Sequence, residues 1–329
     1  MNNEKLKIID KKIKKLLDER VNTYLSLHGK KSDSIQFPKK SLKVIFKEIE
    51  LACENTLKPK KIAYLGPEAT FTHMAAKVKF GESAEYIPTK GIGDVFSHVE
   101  TGRADYGVVP VENTSEGMVN YTLDRILDSE LNIIGEVILR ISHYLLSKES
   151  QLKDIKKIYS HPQAIAQCRL WLERNLSQAE IVETKSTGDA ARRASNEKRA
   201  GAIGSRLASS IYNLNIVEEH IEDSAQNYTR FLVIGKEKIP RTGDDKTSIA
   251  LAIKDKVGAL FELMKPFAEN RVNMNKIESR PSKQKPWDYI FFIDIDGHIE
   301  DKNVKKVFDS LKDLTTFLRV LGSYPKADN

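Results

Sequence analysis

Short apolar runs alternate with segments of helical periodicity between residues 61 and 235, and this alternation restricts the fold more than any other feature of the sequence. It begins with KIAYLG and FTHMAAKVKF and continues through AEYIP, ADYGVVPV and later pairs. Because a strand followed by a helix usually returns to the same sheet, the pattern predicts an α/β fold with many parallel strand pairings. One long apolar stretch, LNIIGEVILRISHYLL, interrupts it. We therefore expect two α/β lobes that are joined by crossing segments and separated by a cleft.

A different pattern starts after the turn-rich stretch PRTGDD. The segments KTSIALAI, GALFELMKPFAENR, VNMNKIESRP, WDYIFFIDIDG, KNVKKVFDSLKDL and FLRVLGSYP follow one another as strand, helix, strand, strand, helix and strand. This βαββαβ order is typical of the ferredoxin-like split unit. The sequence therefore predicts an α/β domain over residues 61–238 and a separate small domain over residues 246–325.

Residues 1–58 form a third, helical segment whose first part is a basic amphipathic helix. Its apolar residues recur at spacings of three and four. Residues 1–61 contain 16 lysines and arginines against 8 acidic residues, which accounts for the whole net charge of +7, since the remainder carries −1. We favour a helical pair packed on itself or on a partner subunit over a nucleic-acid surface, because solvated lysine faces are common. The apolar stripe of the first helix consists of Leu6, Ile9, Ile13, Leu16 and Leu17.

The sequence also argues against several classes of protein. No apolar span approaches the roughly 18 residues of a membrane helix, and charges interrupt the N-terminal stretch where a secretory signal would be apolar, so we expect a cytoplasmic protein without membrane contact. Cys53 and Cys168 are far apart and lack a metal-ligand or disulfide pattern. No Ser-His-Asp spacing or glycine-rich phosphate loop is present. A reaction without metal or cofactor, or simple ligand binding, is the expectation.

Polar residues follow several predicted strands at the point where each strand ends. In α/β sheets, ligands collect outside the carboxyl ends of the strands, so these residues are candidate ligand contacts. Thr70 of GPEATF lies at a helix start, where it is equally suited to be a helix cap. VVPVENTSEG and YSHPQAIAQC supply the others. The candidates are Thr70, Glu112, Asn113, Thr114, Ser115, Ser160, His161 and Gln163.

The stretch NYTRFLVIG places Thr229 and Arg230 at the start of an apolar strand, residues 231–234. Such a strand gives a rigid support to the residues that begin it. We therefore expect both side chains to face the cleft between the lobes.

The motifs YLGPEATF, VVPVENTSEG, SHPQAIAQC, GAIGSRLAS and NYTRFLVIG, in this order, resemble prephenate dehydratase. The βαββαβ unit, with GAL at 258–260 and ESRP at 278–281, is similar to the ACT regulatory domain of that family. The resemblance implies a two-lobed catalytic domain, like a periplasmic binding protein, that converts prephenate to phenylpyruvate, water and carbon dioxide without a cofactor. It also implies feedback control by phenylalanine and a homo-oligomer, either a dimer or a tetramer.

The resemblance further implies roles for individual residues. Thr229 would assist departure of the substrate hydroxyl, with Arg230 in or near the site and Glu112 beside them. Whether Thr229 hydrogen-bonds the leaving oxygen or relays a proton is open, as is the choice between prephenate and arogenate. Substrate would be bound by Thr70, Asn113, Thr114, Ser115, Ser160 and Gln163, and phenylalanine by Gly258, Ala259, Leu260, Glu278, Ser279, Arg280 and Pro281.

Residues 4–52 resemble the chorismate mutase helices that often precede this dehydratase. That mutase domain is about twice as long and contains a further arginine-rich helix, whereas this chain has HGKKSDSIQFPKK between its helices. Arg20 and Lys31 fall on cationic positions of the family, but the earlier arginine falls on Asn3. Because a pericyclic mutase holds its dicarboxylate with several fixed cations, we expect a degenerate remnant that has lost most activity. A bifunctional enzyme and a non-catalytic aromatic-ligand sensor remain the alternatives.

Overall fold

The computed structural model describes residues 2–28, 30, 35–254, 256–281 and 289–327, with the side chains of residues 2 and 3 excepted.

The chain divides into two compact units, residues 1–59 with 80–84, and residues 60–79 with 85–329. The first unit contains the helices α1 (Asn2–Leu27) and α2 (Lys39–Leu57). The second contains, in order, β1 (Lys61–Leu65), α3 (Phe71–Phe80), β2 (Glu85–Thr89), α4 (Ile92–Glu100), β3 (Tyr106–Asn113), β4 (Gly117–Met118), α5 (Asn120–Asp128), β5 (Asn132–Arg140), β6 (Tyr144–Ser147), a 3₁₀ turn (Leu152–Asp154), β7 (Lys157–Ser160), α6 (Pro162–Gln167), α7 (Arg169–Asn175), β8 (Glu180–Glu183), α8 (Thr187–Ala194), β9 (Ala200–Gly204), α9 (Arg206–Tyr212), β10 (Asn215–Glu218), β11 (Tyr228–Gly235), β12 (Asp245–Ile253), α10 (Ala259–Glu269), β13 (Met274–Pro281), β14 (Tyr289–Asp296), α11 (Lys302–Leu314) and β15 (Thr315–Pro325).

The helical unit leaves the apolar stripe of α1 largely exposed. Leu6, Ile9 and Leu16 expose 58%, 49% and 63% of their surface, so the two helices do not bury this stripe between themselves. The segment before α2 is attached to α1 by a hydrogen bond of 2.6 Å from the Phe37 N–H to Asp18 Oδ1. The helical pair was expected to pack either on itself or on a partner subunit. Packing on itself does not cover the apolar stripe of α1.

The two predicted α/β lobes are present, each built on its own sheet. The first sheet has the strand order β2-β1-β3-β11-β5 with β4 beside β3, and the second has the order β10-β6-β9-β7-β8. The chain crosses between them twice, from β5 to β6 and from β10 to β11. This is the two-lobed architecture of periplasmic binding proteins, as predicted.

Parallel pairing is less extensive than the alternation predicted. β1 runs parallel to β2 and β3, and β7 runs parallel to β8 and β9. The crossing strands instead pair antiparallel, β11 with β3 and β5, and β6 with β9 and β10. The reason is geometric: a strand that enters a lobe from the other lobe starts at the cleft, where the neighbouring parallel strands end.

The C-terminal part has the predicted βαββαβ order, with strands arranged as β13-β14-β12-β15. One face of this sheet packs on α10 and α11 through a core that contains Leu251, Phe267 and Ile293. The opposite face contributes Phe292 and Tyr324 to the core of the first lobe. Contact is close enough that a Cβ at Gly322 would lie 2.0 Å from the Ile133 carbonyl oxygen. The small sheet is therefore buried on both faces, by its own helices and by the first lobe.

Candidate active site

A cleft of about 330 Å³ lies between the two lobes, at the carboxyl ends of β1, β3 and β8. The starts of α3 and α8 also reach it, and helix starts carry free N–H groups that suit anions. The lining includes polar groups from both lobes and from both crossing segments. It consists of Leu65, Gly66, Thr70, Phe71, Thr72, Lys90, Pro110, Asn113, Ile141, His143, His161, Gln163, Ala164, Gln167, Lys185, Ser186, Thr187, Asn227, Thr229 and Phe231.

Two predicted residues meet directly in this cleft. Asn113 Nδ2 donates a hydrogen bond of 2.8 Å to Thr229 Oγ1, and both side chains are more than nine-tenths buried. The N–H groups of Ser115 and Glu116 donate to Asn113 Oδ1, which fixes the orientation of the amide. Because the Thr229 oxygen accepts from Asn113, its own O–H hydrogen is left to donate to a molecule in the cleft.

A chain of amide and imidazole groups extends from this pair. Asn113 Nδ2 also donates to Asn227 Oδ1 at 2.8 Å, and Asn227 Nδ2 donates to Gln167 Oε1 at 3.0 Å. The same Gln167 oxygen lies 2.8 Å from His143 Nε2. Since that oxygen can only accept, Nε2 carries the proton and His143 Nδ1 carries the lone pair.

His143 is suited to stay neutral in the cleft wall. Burial lowers the pKa of His143, and this effect outweighs the hydrogen bond to Gln167 and the charge of Glu222, which raise it. Its Nδ1 is buried and has no hydrogen-bond partner among the described residues. The ring therefore keeps an unused acceptor nitrogen buried in the wall of the cleft.

Thr70 lines the cleft but is occupied as a helix cap. Its Oγ1 lies 3.0 Å from the Pro67 carbonyl oxygen and accepts from the His73 N–H. The loop that contains it bridges the lobes, because Ser205 Oγ donates to the Ala69 carbonyl at 2.7 Å. The approach is tight: a Cβ at Gly188 would lie 2.2 Å from the Glu68 carbonyl oxygen. Both GPEATF and GAIGSRLAS thus contribute to holding the lobes together.

The prediction that Arg230 faces the cleft is wrong. Adjacent residues of a strand point to opposite faces, so Thr229 in the cleft places Arg230 on the other side of the sheet. There Arg230 Nε donates to Glu136 Oε2 at 2.7 Å and Nη1 donates to Asp294 Oδ2 at 2.6 Å. The same alternation along β3 directs Glu112 away from the cleft, where it forms an ion pair with Lys276.

Three other candidates serve the backbone rather than the cleft. Thr114 Oγ1 donates to the Gln226 carbonyl and accepts from the Tyr228 N–H, which attaches the second crossing segment to β3. Ser160 is fully buried, with its hydroxyl bonded to the Ile203 carbonyl at 2.8 Å. Ser115 uses its N–H on Asn113 and does not line the cleft. Gln163, in contrast, lines the cleft as predicted.

The residues predicted to bind phenylalanine lie on α10 and β13 and do not share one face. Gly258 has a left-handed backbone, with φ of 81°, and precedes Ala259 and Leu260 at the start of α10. Along β13, Ile277 pairs with Ile293 beneath the helices, which places Ser279 and Pro281 on the helix side. Glu278 and Arg280 therefore lie on the lobe side, where Arg280 Nη1 donates to the Asn120 carbonyl and pairs with Asp124.

The mutase-like positions are described only in part. Arg20 lies on α1 with an exposed side chain. Lys31 lies outside the described residues.

The polar cleft residues that were missed in the sequence include Lys90, His143, Gln167, Lys185 and Asn227. The two lysines follow β2 and β8, so applying the strand-end rule to every strand would have found them. They come from different lobes, both are exposed, and neither forms an ion pair among the described residues. The other three lie in crossing segments or inside α6, where no local pattern marks them.

The described part of the chain contains no group of three or more His, Cys, Asp or Glu side chains that could hold a metal ion. No helix in this part is both long and apolar enough to cross a membrane.

Fold and site together define a two-lobed ligand-binding domain with a cationic, hydroxyl-bearing cleft and an attached ferredoxin-like domain. Residues 62–239 match the family model for prephenate dehydratase, and residues 247–313 match the model for the ACT domain. The chain belongs to the prephenate dehydratase family and carries a C-terminal ACT domain.

Individual relatives agree with this membership. A bifunctional chorismate mutase/prephenate dehydratase of Aquifex aeolicus is 52% identical over 291 residues, which are 88% of this chain and 80% of the relative. The structure of the Arthrobacter aurescens prephenate dehydratase in complex with L-Phe has a TM-score of 0.73 at 36% identity, covering 80% of this chain and 90% of that one. The Staphylococcus aureus enzyme has a TM-score of 0.70 at 30% identity, covering 80% and 99%.

Proposed function

We propose that the cleft binds prephenate and converts it to phenylpyruvate, water and carbon dioxide. The observation that carries the proposal is the buried Asn113–Thr229 pair, which leaves one hydroxyl hydrogen available in a cleft that also presents two lysines. A dianion that loses a hydroxyl group needs a hydrogen-bond donor at the leaving oxygen and cations that bind its carboxylates.

The reaction balances with a single proton. The ring C–O bond breaks as the leaving hydroxyl takes up a proton, and the C–C bond to the ring carboxylate breaks to release carbon dioxide. The electron pair of that C–C bond completes the aromatic ring. Prephenate dianion and one proton thus give phenylpyruvate monoanion, water and carbon dioxide, so the site must stabilise a departing oxygen that gains negative charge.

Thr229 is the group that we assign to this oxygen. An ordinary threonine is too weak an acid to lose its proton outright, so its contribution is a hydrogen bond that strengthens as the C–O bond lengthens. Asn113 supports this role, because its Nδ2 occupies a lone pair of Thr229 Oγ1 and directs the O–H hydrogen elsewhere. A proton from solvent completes the water molecule.

The remaining cleft groups bind and orient the substrate. Lys90 and Lys185 provide one cation from each lobe for the two carboxylates, which also favours closure of the lobes around a dianion. Gln163 and the first turn of α8 add donors for carboxylate oxygens. Glu112 and Arg230 are not assigned a contact with substrate.

We place the functional boundaries at residues 1–58, 61–238 and 246–325, with phenylalanine sensed by the last segment. Gly258 begins α10, whose first turn offers backbone donors for an amino-acid carboxylate, and Ser279 lies on the same side of the sheet. A homo-oligomer is part of the proposal, because the apolar stripe of α1 is exposed in the single chain.

Purified protein should convert prephenate to phenylpyruvate, measured by the absorbance of the product in alkali, and added phenylalanine should reduce the rate. The observation that would decide for a ligand sensor instead is a raised melting temperature with prephenate or phenylalanine and no product. Turnover that phenylalanine does not alter would contradict the regulatory part alone.

A second prediction concerns the N-terminal segment, which we propose has lost chorismate mutase activity. A mutase must fix both carboxylates of chorismate with several cations, and in this unit Arg20 is exposed and the described residues between α1 and α2 form no helix. We expect no enzymatic consumption of chorismate, followed by its ultraviolet absorbance. Mutase turnover that disappears in Arg20→Ala would instead establish a bifunctional enzyme like the Aquifex aeolicus relative.

A further inference from the structure

Four charged residues form two ion pairs between the first lobe and the ACT sheet. Glu112 of β3 pairs with Lys276 of β13, and Arg230 of β11 pairs with Asp294 of β14 at 2.6 Å. Glu112 and Arg230 are direct cross-strand partners in the lobe sheet, and Lys276 and Asp294 are direct cross-strand partners in the ACT sheet. We call these four residues the charge quartet.

The charge quartet lies directly behind the proposed catalytic pair. Asn113 and Thr229 are the next cross-strand partners in the same ladder, one residue along each strand from Glu112 and Arg230. Because side chains alternate across a sheet, β3 and β11 each present one residue to the cleft and the adjacent residue to the ACT sheet. A shift of the ACT sheet that moves the quartet therefore moves the backbone that carries Asn113 and Thr229.

Other buried contacts stiffen one half of the quartet. Arg230 Nη2 donates to the Tyr324 hydroxyl at 3.0 Å, and that hydroxyl lies 2.6 Å from Ser248 Oγ. Glu136, which also accepts from Arg230, pairs with Lys246 at 2.8 Å. The Glu112–Lys276 half has fewer supports, and Glu112 is 38% exposed. Lys276 is thus the member that a movement of the ACT sheet can displace most easily.

The position of Lys276 connects the quartet to the effector segment. It lies on β13 two residues before Glu278, and β13 is the edge strand of the ACT sheet. An edge strand pairs on one side only, so it can move more readily than a central strand. Binding of an amino acid against residues 278–281 would act on this strand first.

We propose that the charge quartet transmits the effector signal, with Lys276 and Asp294 acting as positioning residues for Asn113 and Thr229. This inference rests on the proposed function and adds to it the route by which the ACT domain controls the cleft. Binding of phenylalanine shifts β13, the intact Lys276–Glu112 pair passes this shift to β3, and β3 and β11 then present the catalytic pair in a less productive geometry.

The test compares Lys276→Met with Lys276→Arg, which keeps the charge, and with Lys312→Met, which removes a lysine paired to Asp309 within the ACT domain. For each full-length variant, phenylalanine affinity is measured by calorimetry, and kcat, KM and the half-inhibiting phenylalanine concentration by the prephenate assay. Lys276→Met should bind phenylalanine with a Kd within about twofold of the wild-type value. It should nevertheless require a phenylalanine concentration about tenfold higher for half inhibition. The other two variants should behave like wild type.

Two results overturn the inference: Lys276→Met inhibited as strongly as wild type, or Lys276→Met losing phenylalanine binding in parallel with inhibition. If Lys276→Met does not fold, Glu112→Gln removes the same ion pair at a partly exposed position. The results expected of it, and the results that would overturn the inference, are the same as for Lys276→Met. Turnover by the wild-type enzyme tests the dehydratase proposal separately. The inference on coupling is then tested in an enzyme whose activity has been measured.

Discussion

Thr229→Val should lower kcat for prephenate by about 100-fold to 1,000-fold while changing KM no more than about threefold. Valine keeps the shape of threonine but has no O–H to donate to the leaving oxygen. The rest of the hydrogen-bonded chain survives, because Asn113 Nδ2 keeps its bond to Asn227 Oδ1. Loss of an interaction that forms mainly in the transition state reduces kcat and spares KM. Steady-state phenylpyruvate formation gives both constants.

Two variants separate this effect from a general disturbance of the cleft. Thr229→Ser keeps the hydroxyl and should retain a kcat within about tenfold of wild type. Lys185→Met removes a cation that holds the substrate in ground state and transition state alike, so it should raise KM by about tenfold and leave kcat nearly unchanged. A Thr229→Val enzyme with the kcat of wild type would remove the hydroxyl from the mechanism.

The sequence predicted the architecture well because strand-helix alternation and the βαββαβ order are local patterns. It also placed Asn113 and Gln163 in the cleft by the rule that ligands gather where strands end, and Thr229 there as a residue that begins an apolar strand. The direction of each strand relative to its neighbours could not be predicted from the same patterns. Whether β11 runs parallel or antiparallel depends on where the chain re-enters the lobe, which no residue of β11 encodes.

The errors at Glu112 and Arg230 have one physical cause. Glu112 and Arg230 are as polar as their neighbours Asn113 and Thr229, and the composition of a strand end does not reveal which of two adjacent residues faces the ligand. The answer depends on what covers the other face. Here the ACT sheet covers it with Lys276 and Asp294, which lie more than 60 residues along the chain from their respective partners Glu112 and Arg230.

His143, Gln167 and Asn227 escaped prediction for a related reason. No local sequence pattern distinguishes these residues from their neighbours, and each gains its role from the other two. The His143–Gln167–Asn227 contacts join both crossing segments to α6. Only the assembled lobes create that proximity.

Arg230→Met should destabilise the protein by about 3–5 kcal/mol without a specific effect on substrate binding. The variant leaves Asp294 with a hydroxyl from Ser248 as its remaining side-chain hydrogen-bond partner among the described residues. Glu136, whose side chain is 1% exposed, keeps only Lys246 as an ion-pair partner in the same described part. An unpaired buried carboxylate is costly, whereas an exposed ion pair contributes little. Calorimetric melting of each variant measures the difference.

Arg169→Met, which breaks an ion pair with Glu173 at a site 75% exposed, is the matched control and should leave the melting temperature close to that of wild type. Adding Asp294→Asn to Arg230→Met should recover part of the loss, because no unpaired charge then remains at that position. A stable Arg230→Met protein with a much higher KM would contradict this assignment and return the guanidinium to the cleft. Loss of stability with KM unchanged would support a division of roles between two adjacent residues. Arg230 then holds the catalytic strand to the ACT domain, while its neighbour Thr229 performs the chemistry.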